Sequence, residues 1–235
     1  MSQSRRLTEE LVRLAAREVA DAGPMPGFDH FSEADYDEHL DAFLRDRPEG
    51  PLHVFAYGSL IWKPGYEPAA TWRATAPGWG RAFCLKVARF RGTIEQPGLM
   101  MQLHPGDSTA EGVLHRLDRA SEVADLRTLW RREMTVKPPG NVPRWIKIVA
   151  EGDVVPAIAF TANPESRNYV GGLSIDETAA MIADACGHWG SCAEYLLQTV
   201  TALEAHGIDD PYLRDLEDRV ATRLEHLRSY PTEMP

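Results

Sequence analysis

Between Leu52 and Phe160 short β-prone runs alternate with turn residues, and this punctuation constrains the fold more than any other feature of the chain. Six runs read as strands: Leu52–Tyr57, Phe83–Ala88, Leu99–Leu103, Gly112–Leu117, Trp145–Ala150 and Val155–Phe160. Pro77-Gly78, Pro97-Gly98, Pro105-Gly106-Asp107 and Pro138-Pro139-Gly140-Asn141 separate them as turns. One helix interrupts the series. Ser121 is its expected N-cap, Glu122 suits its first turn, and it should end near Met134. After Phe160 the pattern becomes helical. Ser174-Ile-Asp-Glu177 is a capping box, followed by Ile175, Ala179, Ile182 and Cys186 at helical spacing, with Gly187 as the stop. Ala193–His206 is the next helix, with Leu196, Val200 and Leu203 inward. Asp210-Pro211 opens a third, with Leu213, Leu216, Val220, Leu224 and Leu227 as its stripe. Strands followed by helices predict an α+β fold, a mostly antiparallel sheet or barrel under a helical layer.

Ahead of this body, Ser2–Ala22 reads as an amphipathic helix with Leu7, Leu11, Leu14 and Val19 on one face. Gly23–Gly27 breaks it, and Ser32 caps a second helix carrying Tyr36, Leu40 and Phe43. Arg45–Pro51 reads as a linker. Residues 1–50 are therefore expected to be a helical extension, and residues 51–230 the main body.

The 25 Lys and Arg against 35 Asp and Glu leave a formal charge of −10, which argues against nucleic acid and anionic membranes as partners. No apolar run is long enough to span a bilayer, and Met1–Arg13 lacks a signal-peptide core. Three cysteines, Cys84, Cys186 and Cys192, fit a reducing cytoplasm better than a disulfide framework.

Two places invite chemistry. In Val54-Phe-Ala-Tyr-Gly-Ser-Leu60 a strand stops at Gly58-Ser59 and apolar residues resume at once. A sharp turn there leaves successive N–H groups in a concave row that suits a carboxylate or an oxyanion. A strand followed by an ordinary turn fits the same spacing. On the interrupting helix, Val123, Leu126 and Trp130 form an apolar stripe, and Glu133 falls three residues further along it. A carboxylate on a buried face is paired, protonated or used, and burial raises its pKa toward that of a useful base. Pairing with Arg131, Arg132 or Arg144 is the plain alternative. Glu95 competes from the turn-rich loop Arg91–Gly98, where Arg91 is placed to hold an anion; Glu194 is explained by its early position in a helix. Cys186-Gly-His-Trp-Gly-Ser-Cys192 lacks a second ligand pair, so no metal site is expected. Neither a Gly-rich phosphate fingerprint nor a nucleophile elbow is present.

Several segments in order carry a resemblance: Phe-Ala-Tyr-Gly-Ser-Leu-Ile-Trp (55–62), Pro-Gly-Trp-Gly-Arg-Ala-Phe-Cys (77–84), Arg-Gly-Thr-Ile-Glu-Gln-Pro-Gly (91–98), Leu-Trp-Arg-Arg-Glu-Met (129–134), Ala-Asn-Pro (162–164), Tyr-Val-Gly-Gly (169–172) and Glu-Tyr-Leu (194–196). Together they resemble the ChaC-type, glutathione-specific γ-glutamylcyclotransferases, over about residues 52–224. The resemblance implies a small, mostly antiparallel β-barrel with flanking helices. It implies conversion of glutathione to 5-oxoproline and cysteinylglycine, with no metal, nucleotide or organic cofactor. Glu133 stands where that family has its catalytic glutamate. Val54, Phe55, Ala56, Tyr57, Gly58, Ser59 and Leu60 match its γ-glutamyl-binding segment, and Tyr169 a tyrosine before glycine. The implied partner is a small molecule, with oligomeric state left open. Two positions depart from the family: Leu99 follows Pro97-Gly98 where arginine is usual, and Cys192 stands where asparagine is common. They leave room for another γ-glutamyl amide or dipeptide as substrate. A non-catalytic module binding a γ-glutamyl ligand is the reading from another class.

Overall fold

Two of the Pro-Gly pairs that punctuate the sequence, Pro77-Gly78 and Pro105-Gly106, lie within strands instead of ending them. The computed structural model describes residues 6–229. In chain order its elements are α1 (Glu9–Ala15), β1 (Asp29–His30), α2 (Glu33–Leu44), β2 (His53–Ala56), β3 (Ala70–Val87), β4 (Gly98–Arg116), α3 (Glu122–Glu133), β5 (Val136–Lys137), β6 (Asn141–Ala150), β7 (Asp153–Ala162), α4 (Ile175–Asp184), β8 (Cys186–Gly187), β9 (Gly190–Ser191), α5 (Cys192–Ala205) and α6 (Pro211–Ser229). Leu99–Leu103 and Gly112–Leu117, expected as separate strands, are the two ends of β4, and Pro105-Gly106-Asp107 lies within it. Pro77-Gly78 likewise lies inside β3. Pairing along the neighbouring strand outweighs the local turn preference.

The chain divides into two compact units, one of residues 27–82 and 101–169, the other holding 6–26, 83–100 and 170–229 of the described residues. The first is built on a closed barrel with strand order β2-β4-β3-β6-β7. β2 runs antiparallel to β4, placing Phe55 opposite Leu114. β6 and β7 form a continuous antiparallel ladder from Asn141↔Ala162 to Ala150↔Asp153. Its turn, Glu151 (φ 51°) and Gly152 (φ 90°), has both central residues at positive φ, as a two-residue hairpin with a type I′ turn requires. Parallel contacts from β7 to β2 (Val54↔Ile158) and to β4 (Leu103↔Thr161) complete the barrel. The fold is α+β with a mostly antiparallel barrel, as expected.

Phe55, Leu103, Val113, Ile148, Ile158 and Phe160 are buried in this unit. α3 is anchored through Trp130, which is fully buried. Its ring packs edge-on to Phe43 and Phe160, at centroid distances of 5.2 and 5.4 Å, and its Nε1–H donates to His39 Nδ1 at 3.1 Å. Burying one such ring stabilises by about 2–3 kcal/mol. α2, capped by the expected Ser32 through a capping box with Asp35, lies along α3 with Tyr36 and Leu40 buried. Residues 27–50 are thus part of this unit. Ser121 precedes α3 but makes no capping bond; its hydroxyl donates to Asp125 instead. Val123 is exposed, so the inner stripe of α3 is Leu126, Leu129 and Trp130.

In the other unit, α4 carries the expected Ser174–Glu177 capping box. It ends at Asp184, and Cys186 pairs with Ser191 in the β8–β9 hairpin instead of extending the helix. α5 buries Leu196, Val200 and Leu203, and α6 begins at Pro211 and buries Leu213, Leu216, Val220 and Leu224. α1 is much shorter than the Ser2–Ala22 helix expected from periodicity, of which residues 2–5 lie outside the described part. Ala16 is extended (φ −77°, ψ 133°), and the chain beyond it is tied down by tertiary bonds: Arg17 to the Asp184 carbonyl, Asp21 to Arg89.

Candidate active site

A strand that has just left a barrel wall must redirect its backbone, and here it does so at Tyr57-Gly58-Ser59. The wall holds it closely on one side. A Cβ on Gly112 of β4 would sit 2.5 Å from the Ala56 carbonyl oxygen and 2.7 Å from the Phe55 ring, so only glycine permits this approach. The Tyr57 hydroxyl donates to the Phe160 carbonyl at 2.5 Å, and Arg81 Nε donates to the Tyr57 carbonyl at 2.9 Å. A second Arg81 bond, to the Glu111 carbonyl, ties this point back to β4. After the turn, Ile61 N–H reaches the Gly58 carbonyl (2.9 Å) and Lys63 N–H the Ser59 carbonyl (2.8 Å). These are the bonds of a single helical turn, which leave the first donors of that turn unused. Among the described residues, the N–H groups of Gly58, Ser59 and Leu60 make no hydrogen bond to protein. Val54, Phe55, Ala56, Tyr57, Gly58 and Leu60 are buried, and Ser59 is half-buried.

Glu133 ends α3 on the inner side, seven residues after Leu126 and three after Trp130. Its side chain is 15 % exposed. Burial pushes the Glu133 carboxyl above the usual carboxylate range, opposed by the Arg132 guanidinium and by a hydrogen bond from Asn141. Arg132 Nε lies 3.1 Å from Glu133 Oε1, and Asn141 Nδ2 donates to Oε2 at 3.0 Å.

Arg132 joins the two halves of the site. Its Nη2 donates to Ser59 Oγ at 2.8 Å, and its Nη1 bonds the Lys63 carbonyl. One planar fork thus spans the acid and both ends of the redirected loop, a task that a point-charge lysine cannot perform. Ser59 Oγ accepts from a guanidinium, and among the described residues no base bonds it, so it lacks the activation that a nucleophilic serine needs.

The remaining candidates fall elsewhere. Tyr169 is half-buried; its N–H donates to the Ser166 carbonyl at 3.0 Å, and among the described residues it makes no hydrogen bond to Glu133 or to residues 54–60. Glu95 is exposed. Arg91 is buried in its own unit, where Glu194 and the Ser191 carbonyl (3.0 Å) engage it. Burial pushes the Cys84 and Cys192 thiols up to about 12, which leaves them protonated at neutral pH. Among the described residues no cluster of His, Cys, Asp or Glu is arranged to hold a metal.

Sequence reading missed Asn141, Gln102 and Arg81. Gln102 carried a signal, as the one polar residue of Leu99-Met-Met-Gln-Leu103, and it is fully buried. Asn141 reads as a turn residue after Pro-Pro-Gly.

The family model described as ChaC-like protein matches residues 52–223. The chain belongs to the ChaC-like family. Over 179 residues this ChaC-like chain is 38 % identical to the glutathione-specific gamma-glutamylcyclotransferase of Escherichia coli K12, covering 75 % of its own length and 76 % of the relative's. It is 29 % identical over 172 residues to glutathione-specific gamma-glutamylcyclotransferase 1 of Danio rerio, covering 71 % and 87 %. A crystal structure of a yeast gamma-glutamyl cyclotransferase specific to glutathione superposes with a TM-score of 0.68 at 22 % identity, over 76 % of this chain and 99 % of that one. That likeness establishes the fold.

Proposed function

We propose that this protein is a γ-glutamylcyclotransferase that cleaves glutathione to 5-oxoproline and cysteinylglycine, a lyase reaction with Glu133 as the proton carrier. The observation that carries the proposal is a half-buried carboxylate on one arm of Arg132 with the Ser59 turn on the others. Membership of the ChaC-like family supports it, as do the names of the relatives.

The reaction needs little beyond these parts. The γ-glutamyl α-ammonium loses a proton to Glu133. The freed amine attacks the γ-carbonyl of the same molecule, forming the lactam C–N bond through a tetrahedral intermediate. The C–N bond to cysteine breaks as Glu133 returns the proton to the departing nitrogen, and the ring nitrogen gives up its second hydrogen, which leaves cysteinylglycine with a protonated amine. An intramolecular nucleophile held in the folded conformer is equivalent to ~10⁵–10⁸ M of reactant. Gly58, Ser59 and Leu60 offer three unused N–H donors for the α-carboxylate or the oxyanion. Val54, Phe55 and Ala56 shape the wall behind them, Tyr57 anchors the turn, and Tyr169 takes a further substrate contact. Residues 51–230 are the catalytic domain in this reading, and residues 1–50 the extension.

A cytoplasmic setting fits three free, buried thiols. No helix of the described residues is long and apolar enough to cross a membrane. The test is incubation of purified protein with glutathione and mass detection of products. Release of 5-oxoproline and cysteinylglycine is expected, and intact glutathione after prolonged incubation would overturn the proposal. Leu99, fully buried where the family usually has arginine, favours a second reading with a different γ-glutamyl amide or dipeptide as preferred substrate. A panel of γ-glutamyl compounds ranked by kcat/KM separates the two.

A further inference from the structure

Glu133 Oε2 rests on an amide whose orientation is dictated two residues away. Gln102 Nε2 donates to the Gly140 carbonyl at 2.6 Å and to Asn141 Oδ1 at 2.7 Å. A backbone carbonyl only accepts, so the NH₂ group of Gln102 must face it. That same NH₂ group meets Asn141, so Asn141 must present its oxygen to Gln102. Its own NH₂ group is then turned to Glu133 Oε2, at 3.0 Å. The polarity of the chain Gly140 O ← Gln102 → Asn141 → Glu133 admits no flip of either amide without setting oxygen against oxygen or nitrogen against nitrogen. Gln102 is fully buried in a strand otherwise apolar at this point, where an unpaired amide costs about 1–3 kcal/mol.

Resting on the reading of Glu133 as the base, we propose that Gln102 and Asn141 are positioning residues: an oriented amide pair that holds the carboxylate in one rotamer and presents it only with a donor. A donor stabilises the ionised form. It works against the burial that raises the carboxyl. Asn141 cannot act as a proton acceptor in this orientation, so the proton Glu133 collects stays available to the leaving nitrogen. Among the described residues, the charged and titratable groups facing Glu133 besides this pair are Arg132, from its own helix, and the phenol of Tyr66, from the segment after the redirected loop. Tyr66 is itself bonded to His115 Nδ1 at 2.9 Å, and burial holds its phenol neutral.

The test compares wild type, Asn141→Ala, Gln102→Leu and Gln102→Glu. In Gln102→Glu a carboxylate can no longer donate to Gly140, and it draws the Asn141 NH₂ group toward itself, leaving Asn141 Oδ1 against Glu133. In all three variants kcat should fall roughly 10- to 100-fold, the effect of losing one hydrogen bond to a charged group. KM should change little, and the acid limb of the pH–kcat profile should move to higher pH. A folded variant with a lowered kcat and an unmoved limb reduces the pair to a packing role and overturns the proposal, as does unchanged kcat. Should the variants fail to fold, the wild-type side-chain amide signals of Asn141 are followed by ¹H–¹⁵N NMR across pH. They should move as Glu133 titrates and stay still in Glu133→Gln; signals that ignore pH in the wild type overturn the proposal. Full activity of Glu133→Gln would remove the base instead, while the NMR titration would still decide the amide pair.

Discussion

Each unit of this protein carries an arginine–glutamate pair with one partner more desolvated than the other, and the desolvated partner differs. In the barrel unit the carboxylate is the hidden member: the Glu133 side chain is 15 % exposed and that of Arg132 25 %. In the helical unit the guanidinium is hidden: Arg91 is 9 % exposed and Glu194 39 %. A hidden carboxylate is raised toward neutral pH and becomes able to exchange a proton. A hidden guanidinium offers only donors, so it fastens structure, here the Ser191 carbonyl at the start of α5. The lesson is that the residue types of an ion pair do not announce chemistry; which member loses water does.

Glu133→Gln carries the heaviest cost. It should lower turnover of glutathione by about 10²–10⁴-fold, the range for a lost general acid–base group, with the circular dichroism spectrum unchanged. Near-normal turnover would return Glu133 to the same structural role as Glu194. Arg132→Ala comes next. Its loss frees the redirected loop and removes a cation beside Glu133, so turnover should drop about 10- to 100-fold. The acid limb of the pH–rate profile should also move up, because less opposes burial in raising the carboxyl. An unmoved limb would mean that Arg132 serves the loop alone.

Arg91→Ala should read out in stability. It removes the donor to the Ser191 carbonyl and a half-exposed ion pair, for a loss of about 1–3 kcal/mol seen as a lower denaturation midpoint. A change within error would show that this pair fastens nothing.

The smallest effect sharpens the contrast most. The carboxyl of Glu133 is raised from its ordinary 4.5 in the folded protein, so the folded state holds more protons than the unfolded one above that pH. Stability from this group is fully present below the unfolded value and is lost as pH rises through the folded one. Glu133→Gln should therefore melt higher than wild type at neutral pH and lose that advantage near pH 4. A variant less stable than wild type at neutral pH would show that the carboxylate is net stabilising where it sits.

Legibility followed distance along the chain. Capping boxes at Ser32 and Ser174, the proline at the start of α6 and the stripes of α5 and α6 are made of neighbours, and each was readable. Glu133 was readable because three to seven residues link it to Trp130 and Leu126, although Val123, placed on the same stripe, lies at the exposed helix start. The strand ends at Pro77-Gly78 and Pro105-Gly106-Asp107 were misread because a turn residue breaks a strand only where no partner strand holds it. α1 was overlong for the converse reason, since bonds from Arg17 and Asp21 draw the following residues out of helical geometry.

Periodicity and residue type act over one or two helical turns, so the α+β class, the turn after Ala56 and the acid on the inner side of α3 were legible in the residues alone. What surrounds this acid follows from the assembled fold alone. The fork of Arg132 reaches Ser59 across 73 positions, and Gln102 meets Asn141 across 39. Burial is a property of the assembled barrel, and the free energy of a charge depends on what surrounds it in space.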